Sequence, residues 1–383
     1  MAHADRRIAI LGGGIAGLSI AIALAQKGIA TTIFEAAPEV KPVGAGIVLA
    51  ANAMYAYRKM GIENDIIPLG KQLTGFNILT ANGKLITRTD AAILPNGAPG
   101  NFTIHRAVLH DVLLSKIPPT SIHTNKRLLS FEEKKDGMVL HFEDGTSHLT
   151  DYLIAADGIH SPVRRQLLPV SAPQYAGYTC WRAVVHTDQF RQAESTETWG
   201  AQGRFGIAPL VNDRVYWFAC VNAPQNDATM RAYKIADLQK RFVSYHANVQ
   251  ALLACTTDAD LIWADIIDIK PISHFAFGKI VLAGDAAHAT TPNMGQGACM
   301  GIEDAIVLAD ELAKTQSASD AFIAYEKRRL NRTHYIANMS KRLGKMSQME
   351  NPFLCSLRNL ALKNLPEWMK RKQVAKILEE ITF

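Results

Sequence analysis

At 383 residues the chain exceeds one ordinary core of roughly 100 to 200 residues, so two domains, possibly interleaved, are expected. A hydrophobic content of 48% and a charged content of 20% exclude a disordered tail protein and a collagen-like chain. The net charge of +6 is uneven: from Lys327 to Lys376 thirteen Lys or Arg face only Glu350 and Glu367, which makes that segment +11 and the remainder −5. The alternatives are a solvated helical face and a patch for an anionic membrane surface, a nucleic acid or an acidic partner; no aromatic-rich nucleic-acid motif accompanies the excess, so the solvated face is favoured over peripheral membrane contact and no nucleic acid is expected. Five scattered cysteines, odd in number and without C-x-x-C spacing, exclude a disulfide framework and a zinc site and point to a reducing, cytoplasmic setting. No uninterrupted apolar run reaches 18 residues, so no membrane span is expected.

In chain order, residues 7–11 (RIAIL) read as a short buried strand that runs into Gly12-Gly13-Gly14-Ile15-Ala16-Gly17 and an apolar helix. A second β-branched segment, Ala30 to Phe34, ends at Glu35, completing a βαβ unit with G-x-G-x-x-G at its first turn. Each position has a physical task. Gly12 permits the tight turn, Gly14 lets a pyrophosphate approach the backbone, and Gly17 lets helix and strand pack closely. The free amides of the helix N-terminus face the phosphates, while Glu35 can accept both hydroxyls of an adenosine ribose. NAD and FAD both satisfy this pattern.

Residues 74–88 then alternate apolar and polar like a strand pair. DYLIAADGIHSPVR at 151–164 is a strand ending in Asp157-Gly158. Three β-rich runs lie between 178 and 222: GYTCWRAVV, RFGIAPL and RVYWFACV. KIVLAGDAAHATTPNMGQG at 279–297 is a strand ending in Gly284-Asp285, followed by a Pro- and Gly-bearing loop and a helix, and Asn351-Pro352 breaks the C-terminal tail into two helices. In open α/β sheets ligands sit beyond the carboxyl ends of strands, so the three strand ends can converge on one crevice.

These three ordered motifs resemble those of the para-hydroxybenzoate hydroxylase-like family of single-component FAD monooxygenases, with urate hydroxylase, zeaxanthin epoxidase-like and tetracycline monooxygenase branches. VGAGIVLAANA at 43–53, with Gly46, IHRAVLHDVL with Arg106, and YTCWRAVV at 178–185 agree with it, and the resemblance covers residues 5 to 340. It implies an α/β fold: a Rossmann-like FAD-binding domain, a β-sheet substrate domain and C-terminal helices. The expected boundaries are 1–73, 101–171 and 268–340 for the FAD domain, 74–100 and 172–267 for the substrate sheet, and 341–383 for the helical segment.

The resemblance further implies that Asp285 accepts a hydrogen bond from a ribityl hydroxyl of FAD and that Arg106 lies near the pyrophosphate. Asp157 and Gly158 would support that region, and Leu128 would contact adenine through its main chain. Amides of the Pro292-Asn293-Met294-Gly295-Gln296-Gly297 segment would reach the pyrimidine edge of the ring. NAD(P)H would reduce FAD, oxygen would add as a C4a-hydroperoxide, and its distal oxygen would pass to a small aromatic or heteroaromatic substrate. Arg204, Tyr216 and Pro292 are the candidate catalytic residues: Arg204 to hold an anionic or enolic group, Tyr216 to orient a ring, Pro292 to stiffen the wall. Trp181, Trp217 and Phe205 are candidate lining or core, and His288 a residue that positions the loop. No metal is expected, and the oligomer is a monomer or homodimer. A flavin halogenase is disfavoured because no two tryptophans are two apart. A reductase of the isoprenoid-saturating type and a non-catalytic flavin-binding module remain the alternatives.

Overall fold

A computed structural model describes residues 6–39, 45–94, 97–190 and 193–379; Val43 and Gly44 of the 43–53 stretch lie outside the described residues. The apolar strand Ile8–Leu11 is buried along its whole length, as a central parallel strand covered on both sides must be. It pairs in parallel with Thr31–Phe34 on one flank and Tyr152–Ala155 on the other. Tyr152–Ala155 in turn pairs with Ile280–Leu282, within a six-stranded sheet whose outer strands are Ile122–His123 and Ala276–Phe277. The register sets Leu11 beside Ala155, and Ala155 beside Leu282. The next residues of all three strands, leading to Gly12, Asp157 and Asp285, therefore emerge together at one edge of the sheet.

A seven-stranded sheet forms the second layer, in the order Ile262–Ile269, Pro173–His186, Arg214–Asn222, Gly203–Pro209, Glu194–Gly200, Gly75–Thr80 and Leu85–Asp90. The strand period of two divides its residues between two faces. Trp181, Ala183, Phe205, Ile207, Val215, Trp217 and Ala219 share a core with Leu238, Phe242, Val249 and Leu252 of the helices Ile235–Arg241 and Ala247–Ala254. Their alternates, among them Cys180, Arg182, Arg204, Tyr216, Phe218 and Cys220, face the FAD-domain motifs instead. The three large aromatics considered as site lining are thus core residues: Phe205 stacks on Trp217 at 5.1 Å, and Trp217 donates its indole N–H to Thr256 at 2.9 Å. Burying each is worth roughly 1.5–3 kcal/mol, which fixes the sheet against its helices.

The helices Ile15–Gln26 and Gly297–Lys314 pack closely because small residues meet between them. A Cβ on Gly301 would lie 3.0 Å from Ala16; on another side of the first helix, one on Gly17 would lie 1.9 Å from the Gly12 carbonyl oxygen, so that helix also packs closely against the turn and strand before it. The helix Ala318–Ser347 runs unbroken through position 341, where the helical segment was expected to begin, because the first breaker is Asn351-Pro352. Beyond it lie Pro352–Lys363, whose first amides are capped by the Asn351 side chain, and Glu367–Glu379. Among the described residues all five cysteines are free, no group of side chains is arranged to hold a metal, and no helix is long and apolar enough to cross a membrane.

Candidate active site

The converging strand ends and the polar face of the seven-stranded sheet enclose a cavity of about 470 Å³. From the nucleotide-binding side it is lined by Gly14, Ile15, Ala16, Gly46, Arg106, Gly158, Asp285, Pro292, Gly295 and Gly297, and from the sheet by Arg204 and Tyr216. A second cavity of about 270 Å³ holds Gly12, Glu35, Leu128 and Asp157. Gly14, Ala156 and Gly158 line both, so the two form one groove running from Glu35 to the sheet. Of the residues singled out from sequence, Gly17 and Gln296 line neither. Gly17 serves the helix packing already described. The Gln296 side chain turns away from the groove and exchanges hydrogen bonds with the buried Asn52, whose amide nitrogen lies 2.8 Å from the Gln296 carbonyl oxygen.

The groove fits an extended dinucleotide on three local grounds. Gly14 has an ordinary extended backbone, yet a Cβ there would meet no atom within 4 Å, so its missing side chain opens space instead of relieving a turn. Gly158, at φ +82°, likewise faces open space. Neither carboxylate oxygen of Asp157 has a well-aligned hydrogen-bond partner. Burial pushes the Asp157 pKa up to about 6, opposed by Ser161, nearby amides and Arg164. Glu35 accepts the amides of Gly13 and Ala37, each at 2.7 Å, which orients its carboxylate while leaving lone pairs free. Arg106 lines the cavity, exposed to it at the start of the helix Arg106–Ser115.

Asp285 opens the short helix Asp285–His288 after Gly284 at φ +57°, and its carboxylate is exposed to the cavity. That cavity lies deep in the molecule, so desolvation raises the carboxyl pKa against the pull of His288, Arg106 and Arg164. Arg164 is buried and donates to the Ala286 carbonyl at 2.9 Å, pinning the far end of the same turn. His288 is buried with Nε2 2.6 Å from Asp304, a geometry that positions the loop. Pro292 begins a tight turn closed by Gly295 at φ +64°. The helix Gly297–Lys314 follows, and Gly297 and Ala298 at its N-terminus line the cavity, where unpaired amides favour negative charge.

The sheet wall is more neutral than its arginines imply. Arg204 is almost fully buried and bonded on three sides: to Glu197 at 3.1 Å, Gln348 at 2.9 Å and Asn293 at 2.7 Å. Its guanidinium lies 5.5 Å from the centre of the Tyr178 ring, and the Tyr178 hydroxyl donates to Asn293 at 3.0 Å. Glu197 compensates the Arg204 charge, and through Asn293 the arginine steadies the Pro292 turn. Arg182, directly across the sheet from Phe218, also lines the cavity and forms no carboxylate pair among the described residues. Its pKa is raised by the Cys180 thiol, against the effect of burial, with a smaller contribution from the Tyr216 phenol. Tyr216 packs on Gly46, where a Cβ would come within 2.3 Å of its ring, so the two layers touch at that glycine.

Sequence reasoning missed Glu197, Arg182 and a buried polar cluster behind the loop. In that cluster Arg329 bonds Asp304 at 2.6 Å and Glu303 at 2.5 Å, Arg332 bonds Glu303 at 2.7 Å, and Asn52 donates to Glu303 at 2.6 Å. Burial works to raise the Asp304 carboxyl, but His288 and Arg329 outweigh it and hold it below the usual carboxylate range. The available signal was the adjacent acid pair Glu303-Asp304 between the apolar stretches 297–302 and 305–309 of one helix, since buried acids require partners.

Residues 5–340 match the family described as FAD binding domain. The chain is 37% identical to an aurachin C monooxygenase/isomerase of Stigmatella aurantiaca, covering 93% of each chain. It is 30% identical to a 2-heptyl-3-hydroxy-4(1H)-quinolone synthase of Pseudomonas aeruginosa, covering 95% of this chain and 96% of that one. Among solved structures it superposes on Klebsiella pneumoniae HpxO complexed with FAD and uric acid with a TM-score of 0.91 and 29% identity, covering 98% of both chains.

Proposed function

The chain belongs to the FAD-dependent aromatic monooxygenase family, and on that premise we propose that it hydroxylates a ring carbon of a flat heteroaromatic compound bearing a carbonyl or enol group. The observation that carries this reading is the single cavity bounded on one side by the dinucleotide motifs and on the other by Arg182, Arg204 and Tyr216. The relatives' own compounds, urate and a 4-quinolone, are both flat nitrogen heterocycles with ring carbonyls.

Bound FAD supplies the redox chemistry, with NAD(P)H as the electron donor typical of this family and molecular oxygen as the oxidant. Glu35 and the Leu128 backbone hold its adenosine half, Gly14, Arg106 and Asp157-Gly158 its phosphates, Asp285 its ribityl chain, and the Gly295–Gly297 amides the edge of its ring system. On the substrate side Arg182 lines the cavity without a carboxylate partner among the described residues, where its guanidinium can donate two hydrogen bonds to a carbonyl or enolate oxygen. Tyr216 orients the ring. Arg204 acts as a positioning residue: with its charge matched by Glu197, it holds Asn293 and hence the Pro292 wall.

The test is NADPH-dependent oxygen consumption by the FAD-loaded protein over a panel of quinolones, purines, heteroaromatic acids and phenols, with peroxide measured alongside. A compound that accelerates the rate with little peroxide supports the proposal and gives the substrate class. A compound that is reduced without oxygen uptake would instead establish a reductase. Oxygen recovered entirely as peroxide across the whole panel would overturn the substrate reading.

A further inference from the structure

We propose that the C-terminal helix Pro352–Lys363 and the start of the helix after it form a docking face for an anionic lipid surface. Phe353, Leu354, Leu357 and Leu360 recur at the spacing that places residues on one side of a helix, and they are 75%, 47%, 56% and 58% exposed. Trp368, 64% exposed, and Met369 continue the apolar patch at the start of the next helix. Single exposed apolar residues are ordinary, but a contiguous stripe of this kind on one helix marks an interaction surface.

The opposite side of the same helix is fastened to the protein. Cys355 and Arg358 are buried, Arg358 donates to the Met346 carbonyl at 3.1 Å, and its guanidinium lies 5.1 Å from the centre of the Trp199 ring. The outward stripe is therefore not needed to hold the helix in place.

Charge selects the occupant. Lys363, Arg371 and Lys372 are exposed on the same two helices, whereas Lys376 lies over the Tyr335 ring at 4.1 Å and Glu367, exposed, is bonded to Lys370. A second copy docked on this stripe about a two-fold axis would bring two such basic clusters together, a repulsive arrangement. An anionic bilayer matches both features: the side chains of Phe353, Leu357, Leu360 and Trp368 enter the headgroup boundary while the cations meet lipid phosphates. The helix lies on the surface and does not cross it.

The test uses the full-length, FAD-loaded protein and vesicles of phosphatidylcholine with or without phosphatidylglycerol, in a sedimentation assay at low and high salt. The proposal expects binding to phosphatidylglycerol vesicles, weakening with salt, and little binding to phosphatidylcholine alone. Leu357→Glu with Leu360→Glu should abolish it with flavin content unchanged. Arg371→Gln with Lys372→Gln should weaken it by about twenty-five-fold, from about fivefold for each basic residue near an anionic surface. Failure to bind phosphatidylglycerol vesicles, or binding that survives the Leu357→Glu and Leu360→Glu changes, overturns it. So does a protein that ignores vesicles but forms a concentration-dependent dimer that the same pair of changes dissolves.

Discussion

Replacing Arg204 by Met tests whether that arginine serves the wall or the substrate. Its side chain is 2% exposed and that of Glu197 is 8% exposed, with 3.1 Å between Nη1 and Oε1. Without the guanidinium, the Glu197 carboxylate keeps, among the described residues, the Trp199 indole N–H at 2.9 Å as its hydrogen-bond donor. Breaking a buried pair from one side costs about 3–5 kcal/mol, because an uncompensated charge stays behind. Unfolding entropy of about 2.1 cal/mol/K per residue sums to about 0.8 kcal/mol/K over a chain of this length, so the melting temperature should fall by roughly 4–6 °C. Adding Glu197→Gln removes the stranded charge and should restore most of the loss. The assay is thermal unfolding of the FAD-loaded single and double variants, followed by circular dichroism. If Arg204→Met melts within a degree of the parent, or the double variant melts no higher than the single, the pair is not structural and Arg204 is free to bind substrate as first expected from the sequence.

Arg182→Gln should behave oppositely, leaving the melting temperature within about 1 °C but lowering kcat/KM by roughly ten- to a hundredfold on the substrate found in the panel, the loss of a charge-assisted hydrogen bond. Asp285→Ala should lose flavin, read as the ratio of absorbance near 450 nm to that at 280 nm; full flavin content would refute its placement at the ribityl chain. Gly14→Ala should fold as the parent does, because its Cβ meets open space, yet bind FAD poorly, whereas Gly17→Ala should fail to fold, because its Cβ would sit 1.9 Å from a carbonyl oxygen. A Gly14→Ala protein with normal FAD affinity would remove the pyrophosphate from that glycine. The Asp157 carboxyl, raised from 3.8 to about 6 by burial, binds its proton more tightly in the folded protein than in the unfolded chain. In the FAD-free protein Asp157 should therefore contribute stability that is lost as pH rises from about 4 to 6, a component of roughly 3 kcal/mol that is level above that range. Asp157→Asn should abolish this slope in urea unfolding midpoints, and an unchanged slope would assign it to another group.

The parts of the molecule that sequence made legible are those where one residue type has one physical reason. Gly12, Gly14 and Gly17 could be read because a turn, an approach and a helix contact each exclude a side chain, whereas the role expected of Asp285 came from the resemblance of its strand-end motif to a known family. The three strand ends could be placed together because parallel α/β sheets gather their ligands at one edge. The faces of the seven-stranded sheet were harder. Alternation shows that Trp181 and Arg182 point in opposite directions, but not which of them meets helices and which meets the cavity. Glu197 was illegible for another reason: its significance lies in pairing across the sheet with Arg204, and a one-residue change of register would move that pairing to the other face.

The polar cluster behind the loop explains how a glycine-rich segment can be held still. The Gly284 amide donates to Asp304 at 2.8 Å, so the carboxylate that takes Arg329 and His288 also fixes the turn presenting Asp285. One residue earlier on the same helix Glu303, which shares Arg329 with Asp304, accepts from Asn52, and Asn52 bonds Gln296, the residue immediately before the helix start at Gly297. Two adjacent acids thus tie the two chain segments that flank the cavity, one at Asp285 and one at Gly297, to the single pair of arginines Arg329 and Arg332. An apolar core of the same volume could match this cluster in stability, since burying charges costs several kcal/mol per ion. It could not match it in direction, because apolar contacts are not directional, whereas each hydrogen bond fixes an angle. In a site whose chemistry depends on where backbone amides point, fixed orientation is what the buried charges contribute, and the Gln296 side chain, bonded to Asn52 behind the loop, helps to hold the backbone amides expected at the cofactor.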